Sequence, residues 1–154
     1  MKKILLLSFG LLLVSGVFAA GNEMSFRANF GIMTDDSFSF NPIMWTVGAE
    51  LDFQLGDYLM FSPEVILVGF KFEFREFLLI PGAILNFTLG NFFVGGGVNK
   101  SFYMGSGPSE SSDFELKLNA GLITKSIKFT AYVISSFDTL FKNMGVGASL
   151  GYRF

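Results

Sequence analysis

The sequence predicts an all-β protein, an eight-stranded antiparallel up-and-down transmembrane β-barrel, and three observations carry that expectation. First, residues 144–154 read M-G-V-G-A-S-L-G-Y-R-F. Met144, Val146, Ala148, Leu150, Tyr152 and Phe154 share one parity, and Gly145, Gly147, Ser149, Gly151 and Arg153 share the other. Side chains on a strand alternate between two faces, so this strand has one wholly apolar face and one small or polar face. Second, F-Q-L-G-D-Y at 53–58 recurs as F-T-L-G-N-F at 87–92, and the tight turns at Asp57, Asn91 and Lys125 lie 34 residues apart. The same interval reaches back to Glu23 and forward to just past Phe154, so four two-strand repeats make eight strands. Third, beyond residue 20 every apolar run is soon interrupted by Glu, Asp, Lys, Arg or Gly, so no segment can span a bilayer as a helix. A closed barrel is the remaining way to satisfy the backbone in lipid.

The composition fits a chain solvated partly by lipid. Of its 154 residues, 17% are aromatic, 21 of them Phe, and only 16% are charged, against about 25% in soluble domains. A net charge of −2 and the lack of a basic stripe give no sign of a nucleic-acid partner. There is no Cys and no His, which excludes disulfides and thiolate metal sites and removes the commonest general base and transition-metal ligand. No cofactor is expected.

Residues 1–19 read as a secretory signal. Lys2 and Lys3 precede an apolar run over 4–14, and 15–20 is rich in small residues. Cleavage after Ala19 places Val17 two positions earlier; cleavage after Ala20 would place the bulkier Phe18 there. A retained helix is the plainer alternative, but the run is short for a span of about 20 residues and no positive flank follows. The expected barrel domain is 20–154.

The strands follow in order. In 24–32, Met24, Phe26, Ala28, Phe30 and Ile32 alternate with Ser25, Arg27, Asn29 and Gly31. Residues 34–41 form a polar loop. In 43–55, Trp45, Val47, Ala49, Leu51 and Phe53 face outward, while Thr46, Gly48, Glu50, Asp52 and Gln54 face inward. Acids on a dry core face would be costly, so this parity marks the wet side. After the Gly56-Asp57 turn, a third strand over 58–69 carries Pro63, which cannot donate to a ladder and predicts a bulge or gap. Residues 69–76 change phase and hold either a loop or a strand extension. Strands at 77–89 and 92–102 flank the Gly90-Asn91 turn. Residues 104–112, rich in Gly, Ser and Pro, read as a loop. Strands at 113–123 and 127–135 flank the turn at 124–126, and 137–143 is a loop before the last strand. Tight turns thus gather on one side and longer loops on the other, as in outer-membrane barrels, where the turns face the periplasm.

With these residues laid out, the chain resembles the small bacterial outer-membrane β-barrel domain family, of the OmpA/OmpX eight-stranded type. F-S-P-E at 61–64, L-L-I-P-G at 78–82 and F-F-V-G-G-G at 92–97 look most like its PorT-like branch. The resemblance covers about 24–154. It implies an integral outer-membrane protein of a diderm bacterium, exported through the Sec translocon, inserted by the barrel-assembly machinery and surrounded by outer-membrane lipids. It also implies that Tyr152 and Phe154 form the C-terminal assembly signal. A monomer is expected, and no external ligand is specified.

The inward parity collects Arg27, Glu50, Asp52, Glu64, Asp113, Glu115, Lys117, Lys128 and Arg153. An eight-stranded lumen is just wide enough for side chains to fill it, so the expected arrangement is an ion-paired plug rather than an ion pathway. A metal or acid/base cluster of Glu50, Glu64 and Arg27 is disfavoured by the many nearby cations. Ser62, Ser101, Ser135 and Ser136 lack a visible base and read as lumen or rim hydroxyls. Trp45, Tyr58, Phe92, Tyr103, Tyr152 and Phe154 lie near strand ends, where aromatic girdles meet headgroups. The expected function is non-enzymatic, structural or surface-exposed, with the four loops as contact surfaces. Two rivals stay open: a small pore or transport-accessory barrel, and a soluble periplasmic lipid carrier of lipocalin type, in which the parity would be inverted.

Overall fold

The computed structural model describes residues 23–34, 44–70, 73–105, 110–138 and 144–154. The predicted signal segment, nearly all of the loop expected at 34–41, and the parts 106–109 and 139–143 of the loops expected at 104–112 and 137–143 lie outside the described residues. Eight strands close into one antiparallel barrel in chain order: β1 (Met24–Thr34), β2 (Met44–Leu55), β3 (Leu59–Phe70), β4 (Glu73–Leu89), β5 (Phe92–Met104), β6 (Glu110–Ile123), β7 (Ile127–Ser136) and β8 (Gly145–Arg153). The seam runs from Arg27 opposite Arg153 to Thr34 opposite Val146, so no sheet edge is left unpaired.

The turns explain the connectivity. Gly56 and Gly90 adopt φ of 80° and 61°, the left-handed region that glycine enters without steric cost and that tight hairpins need. The β6–β7 turn closes differently: Thr124 N donates to Ile127 O at 2.7 Å, and Ile127 N returns to Thr124 Oγ1 at 3.0 Å.

The parity is that of a membrane barrel. Phe30, Phe114 and Leu150 are 60%, 62% and 56% exposed on the outer face, while Arg27, Lys117 and Lys128 are each 2% exposed inside. Leaving such side chains in water would forgo about 2 kcal/mol apiece, whereas lipid solvates them. The inverted parity of a lipocalin-like carrier is therefore overturned.

Several details sharpen or correct the sequence expectation. Of the bulge or gap expected at Pro63, the gap is found. The β2–β3 ladder skips the positions opposite it and resumes in the same register, Glu50 with Glu64 on one side and Phe53 with Phe61 on the other. Pro81 does the same to the β4–β5 ladder between Leu79–Phe102 and Gly82–Asn99. The missing N–H is thus absorbed as a gap in one ladder while the other stays continuous. Register shifts occur between Gly69 and Phe70, at the start of the segment where a change of phase is expected, and between Lys100 and Phe102. The 69–76 segment belongs mainly to strands β3 and β4, and 110–112, expected as loop, extend β6.

Candidate functional site in the barrel lumen

The lumen is built from alternate residues of all eight strands, and its chemistry changes along the axis. On β3 the inward side chains run Met60, Ser62, Glu64, Ile66 and Val68 from the turn side to the loop side; on β7 they run Lys128, Thr130, Tyr132 and Ile134. Both strands pass from polar or charged groups to apolar ones.

The charged layer comprises three acids and three bases, all nearly inaccessible. Arg27 Nε lies 2.6 Å from Asp52 Oδ2. Asp52 Oδ1 accepts from Ser62 Oγ at 2.7 Å and faces Lys128 Nζ at 3.4 Å. Lys128 also pairs with Glu50, whose other oxygen accepts from Asn29 Nδ2 at 3.1 Å. Lys117 Nζ lies 2.5 Å from Glu64 Oε1. Asn86 Nδ2 donates to Ser62 Oγ at 3.2 Å. The two ammoniums also sit over aromatic rings, Lys117 over Tyr132 at 4.5 Å and Lys128 over Phe93 at 4.9 Å, contacts that are attractive through the ring quadrupole.

The logic of this layer follows from register. Glu50 and Glu64 stand directly opposite each other on β2 and β3, a like-charge pair that is unfavourable alone. Each is neutralised from across the lumen by a lysine of β7 or β6. Buried charges are tolerated only when paired and hydrogen-bonded, and here three negative charges meet three positive ones. A cavity of about 20 Å³ lies among Asn29, Thr46, Glu50, Glu64, Lys117 and Asn119, space for about one water.

Above the ion pairs, Ile66, Val68, Ile80, Tyr132 and Ile134 form a buried cluster, with Met33, Met44 and Leu78 packed against it. Sequence reasoning missed this apolar layer. Its signal was the loss of alternation in V-I-L-V-G-F at 65–70 and F-L-L-I-P-G-A-I-L at 77–85, where both parities are apolar.

The nine anticipated lumen residues do not all meet. Arg27, Glu50, Asp52, Glu64, Lys117 and Lys128 form the buried layer. Glu115 stands apart, half-buried, and accepts from Ser101 Oγ at 2.7 Å. Arg153 faces the turn-side mouth. Asp113 lies exposed at the loop-side start of β6, beside the register shift between Lys100 and Phe102, and takes no part in the buried layer. Ser62 is fully buried and held by Asp52 and Asn86, an arrangement suited to structure rather than attack. Among the described residues no group of three His, Cys, Asp or Glu side chains could hold a metal.

Of the aromatic residues expected at strand ends, Tyr58, Phe92, Tyr152 and Phe154 are exposed on the turn side. Tyr152 and Phe154 meet edge to face at 5.3 Å, and Phe154 also lies 5.9 Å from Phe26. Trp45 differs: its ring lies over Gly69 on the neighbouring strand and is only 6% exposed. Any side chain at Gly69 would overlap that ring. Tyr103 has inward parity, two residues beyond Ser101 on β5.

No protein-family model and no curated protein sequence matches the chain. Solved structures do match, and they define the fold class, a small eight-stranded transmembrane barrel. The chain is similar to the N-terminal β-barrel domain of Pseudomonas aeruginosa OprF, at 12% identity over 86% of this chain and 99% of that one, with a TM-score of 0.53. It is similar to the Yersinia pestis outer membrane protein Ail in a phospholipid nanodisc, at 16% identity, 86% and 100% coverage and a TM-score of 0.52. The outer membrane enzyme PagL matches at 12% identity, 83% and 98% coverage and a TM-score of 0.51. At such identities the likeness shows the shared architecture, and that one architecture serves a barrel domain, an outer membrane protein and an outer membrane enzyme.

Proposed function

We propose that this chain is a non-enzymatic integral outer-membrane barrel of a diderm bacterium, structural or surface-exposed in role, whose lumen does not conduct ions. The observation that carries the reading is the closed interior: a charge-balanced ion-pair layer beneath an apolar layer, with side chains from opposite walls meeting in the middle. An ion entering from the turn side would have to break the pairs of Arg27, Asp52 and Lys128 and then cross Ile66, Val68, Ile80 and Ile134 without water. The likeness of the fold to outer-membrane proteins supports the location, and the lack of His supports the absence of the usual hydrolytic machinery. The short turns would face the periplasm and the longer loops the exterior.

The OmpA/OmpX-type assignment and its PorT-like branch rest on the quoted sequence segments. Tyr152 and Phe154, exposed on the turn side of the seam, are suited to recognition by the barrel-assembly machinery. Planar-bilayer recording on the purified protein tests the central part of the reading. A closed lumen gives no steady current above the lipid baseline; a reproducible unitary conductance would establish a pore instead.

A further inference from the structure

We propose that the turn-side mouth of the lumen is a binding site for a small oxyanion, a phosphate or carboxylate group held between Arg27 and Arg153. These two residues stand directly opposite each other across the β1–β8 seam, and both face inward. Two cations in such register repel unless a counter-charge lies between them.

The nearby acid does not supply it. Asp52 is already used on both oxygens, by Arg27 Nε on one and by Ser62 and Lys128 on the other. Arg27 is 2% exposed, yet its Nη1 is buried with no hydrogen-bond partner among the described residues. Arg153 forms no ion pair among the described residues. Leaving a buried charged donor unmatched costs more than leaving a neutral one.

The space is suited to an anion. Arg27 and Arg153 line a cavity of about 180 Å³ open to the turn side, which Lys125 of the β6–β7 turn also lines, with Ser25, Gln54 and Asn91 as neutral polar neighbours. That volume is several times what a single water needs, room for a tetrahedral oxyanion and part of its hydration. Glu23 also lines the cavity, but with Arg27 and Asp52 counted as a pair, Arg153 and Lys125 still face a single acid there. Guanidinium groups bind phosphate and carboxylate through parallel N–H bonds; Arg153 would meet the anion from the open mouth, and Arg27 Nη1, buried at the cavity floor side of the network and without a partner among the described residues, would turn toward it on binding. Placing the mouth on the periplasmic side rests on the orientation proposed above; the site itself does not.

The test is titration of the detergent-solubilised protein with inorganic phosphate at constant ionic strength, chloride being the replaced anion, read by nitrogen-15 NMR of the arginine side chains. The site predicts saturable shifts of the Arg27 and Arg153 signals. Arg153→Gln should weaken phosphate binding about tenfold, a loss of about 1.4 kcal/mol, while the protein keeps its heat-modifiable gel mobility. Lys125→Gln, on an exposed turn, should weaken it about threefold and serves if the first variant does not fold. A parallel acetate titration separates the sources: saturation by both anions points to carboxylate-bearing ligands as well, and saturation by phosphate alone points to phosphate groups. Shifts equal to those given by chloride, no saturation, or unchanged affinity in both variants would overturn the proposal.

Discussion

Lys117 on β6 reaches across the barrel to place its Nζ 2.5 Å from Glu64 Oε1 on β3, and Lys128 on β7 does the same for Glu50 on β2. The pairs therefore tie opposite walls together rather than neighbouring strands. Ladder hydrogen bonds give a barrel its circumference; these contacts act across its diameter.

Removing one partner should be costly, because the other is left charged in a closed space. Lys117→Met is expected to destabilise the protein by about 3–5 kcal/mol, while Lys117→Met combined with Glu64→Leu should recover most of that loss. Urea unfolding in phospholipid vesicles, as a double-mutant cycle, measures both. A single variant as stable as the double would show that the pair is not sequestered.

Adjacent glycines on β5 should respond oppositely to the same substitution. A Cβ on Gly95 would overlap Asn86 and Asn119 inside the lumen, whereas one on Gly96 would make ordinary contacts, with Leu118 Cδ2 at 3.4 Å and Lys117 O at 3.7 Å. Gly95→Ala is expected to cost about 1–3 kcal/mol through overpacking, and Gly96→Ala to be neutral or slightly stabilising, by about 0.5 kcal/mol. The same unfolding assay compares them, and equal effects would contradict the assigned faces.

What the sequence made legible follows from how strictly each strand alternates. In β6, Phe114, Leu116, Leu118 and Ala120 face outward against Glu115, Lys117 and Asn119, and that alternation gave strand, face and lumen role together. The 34-residue spacing located all three tight turns because each begins where an outward apolar row stops. In 65–70 of β3 and 77–85 of β4 both parities are apolar, so the residue types at Val68, Leu78 and Ile80 carried no sign of which way they point. Asp113 shares the parity of Glu115 but lies exposed at the loop-side start of β6, beside the shift at Lys100 to Phe102, and parity alone does not tell how far along the axis the buried layer extends. The cross-lumen pairing of Glu64 with Lys117, 53 residues apart, depends on closure of the barrel, which no local pattern encodes.

The apolar layer should control leakage. Val68 and Ile80 are 0% and 1% exposed inside the lumen. Val68→Ala with Ile80→Ala removes the bulk facing Tyr132 and Ile134 and is expected to give brief current steps in planar bilayers where the parent protein gives none. Stability should fall by about 3–5 kcal/mol, from the cavity created. A silent double variant that remains folded would mean that the ion pairs close the lumen by themselves.

The central claim is that lipid covers the apolar face of these strands. The chain has no native Cys, so nitroxide labels on Leu118→Cys, Asn119→Cys and Ala120→Cys each report one site in vesicles. The account predicts frequent collisions with dissolved oxygen at positions 118 and 120, little contact there with a water-soluble nickel complex, and an immobilised label at 119. Labels at 118 and 120 that meet the nickel complex freely, with the label at 119 in lipid, would contradict it.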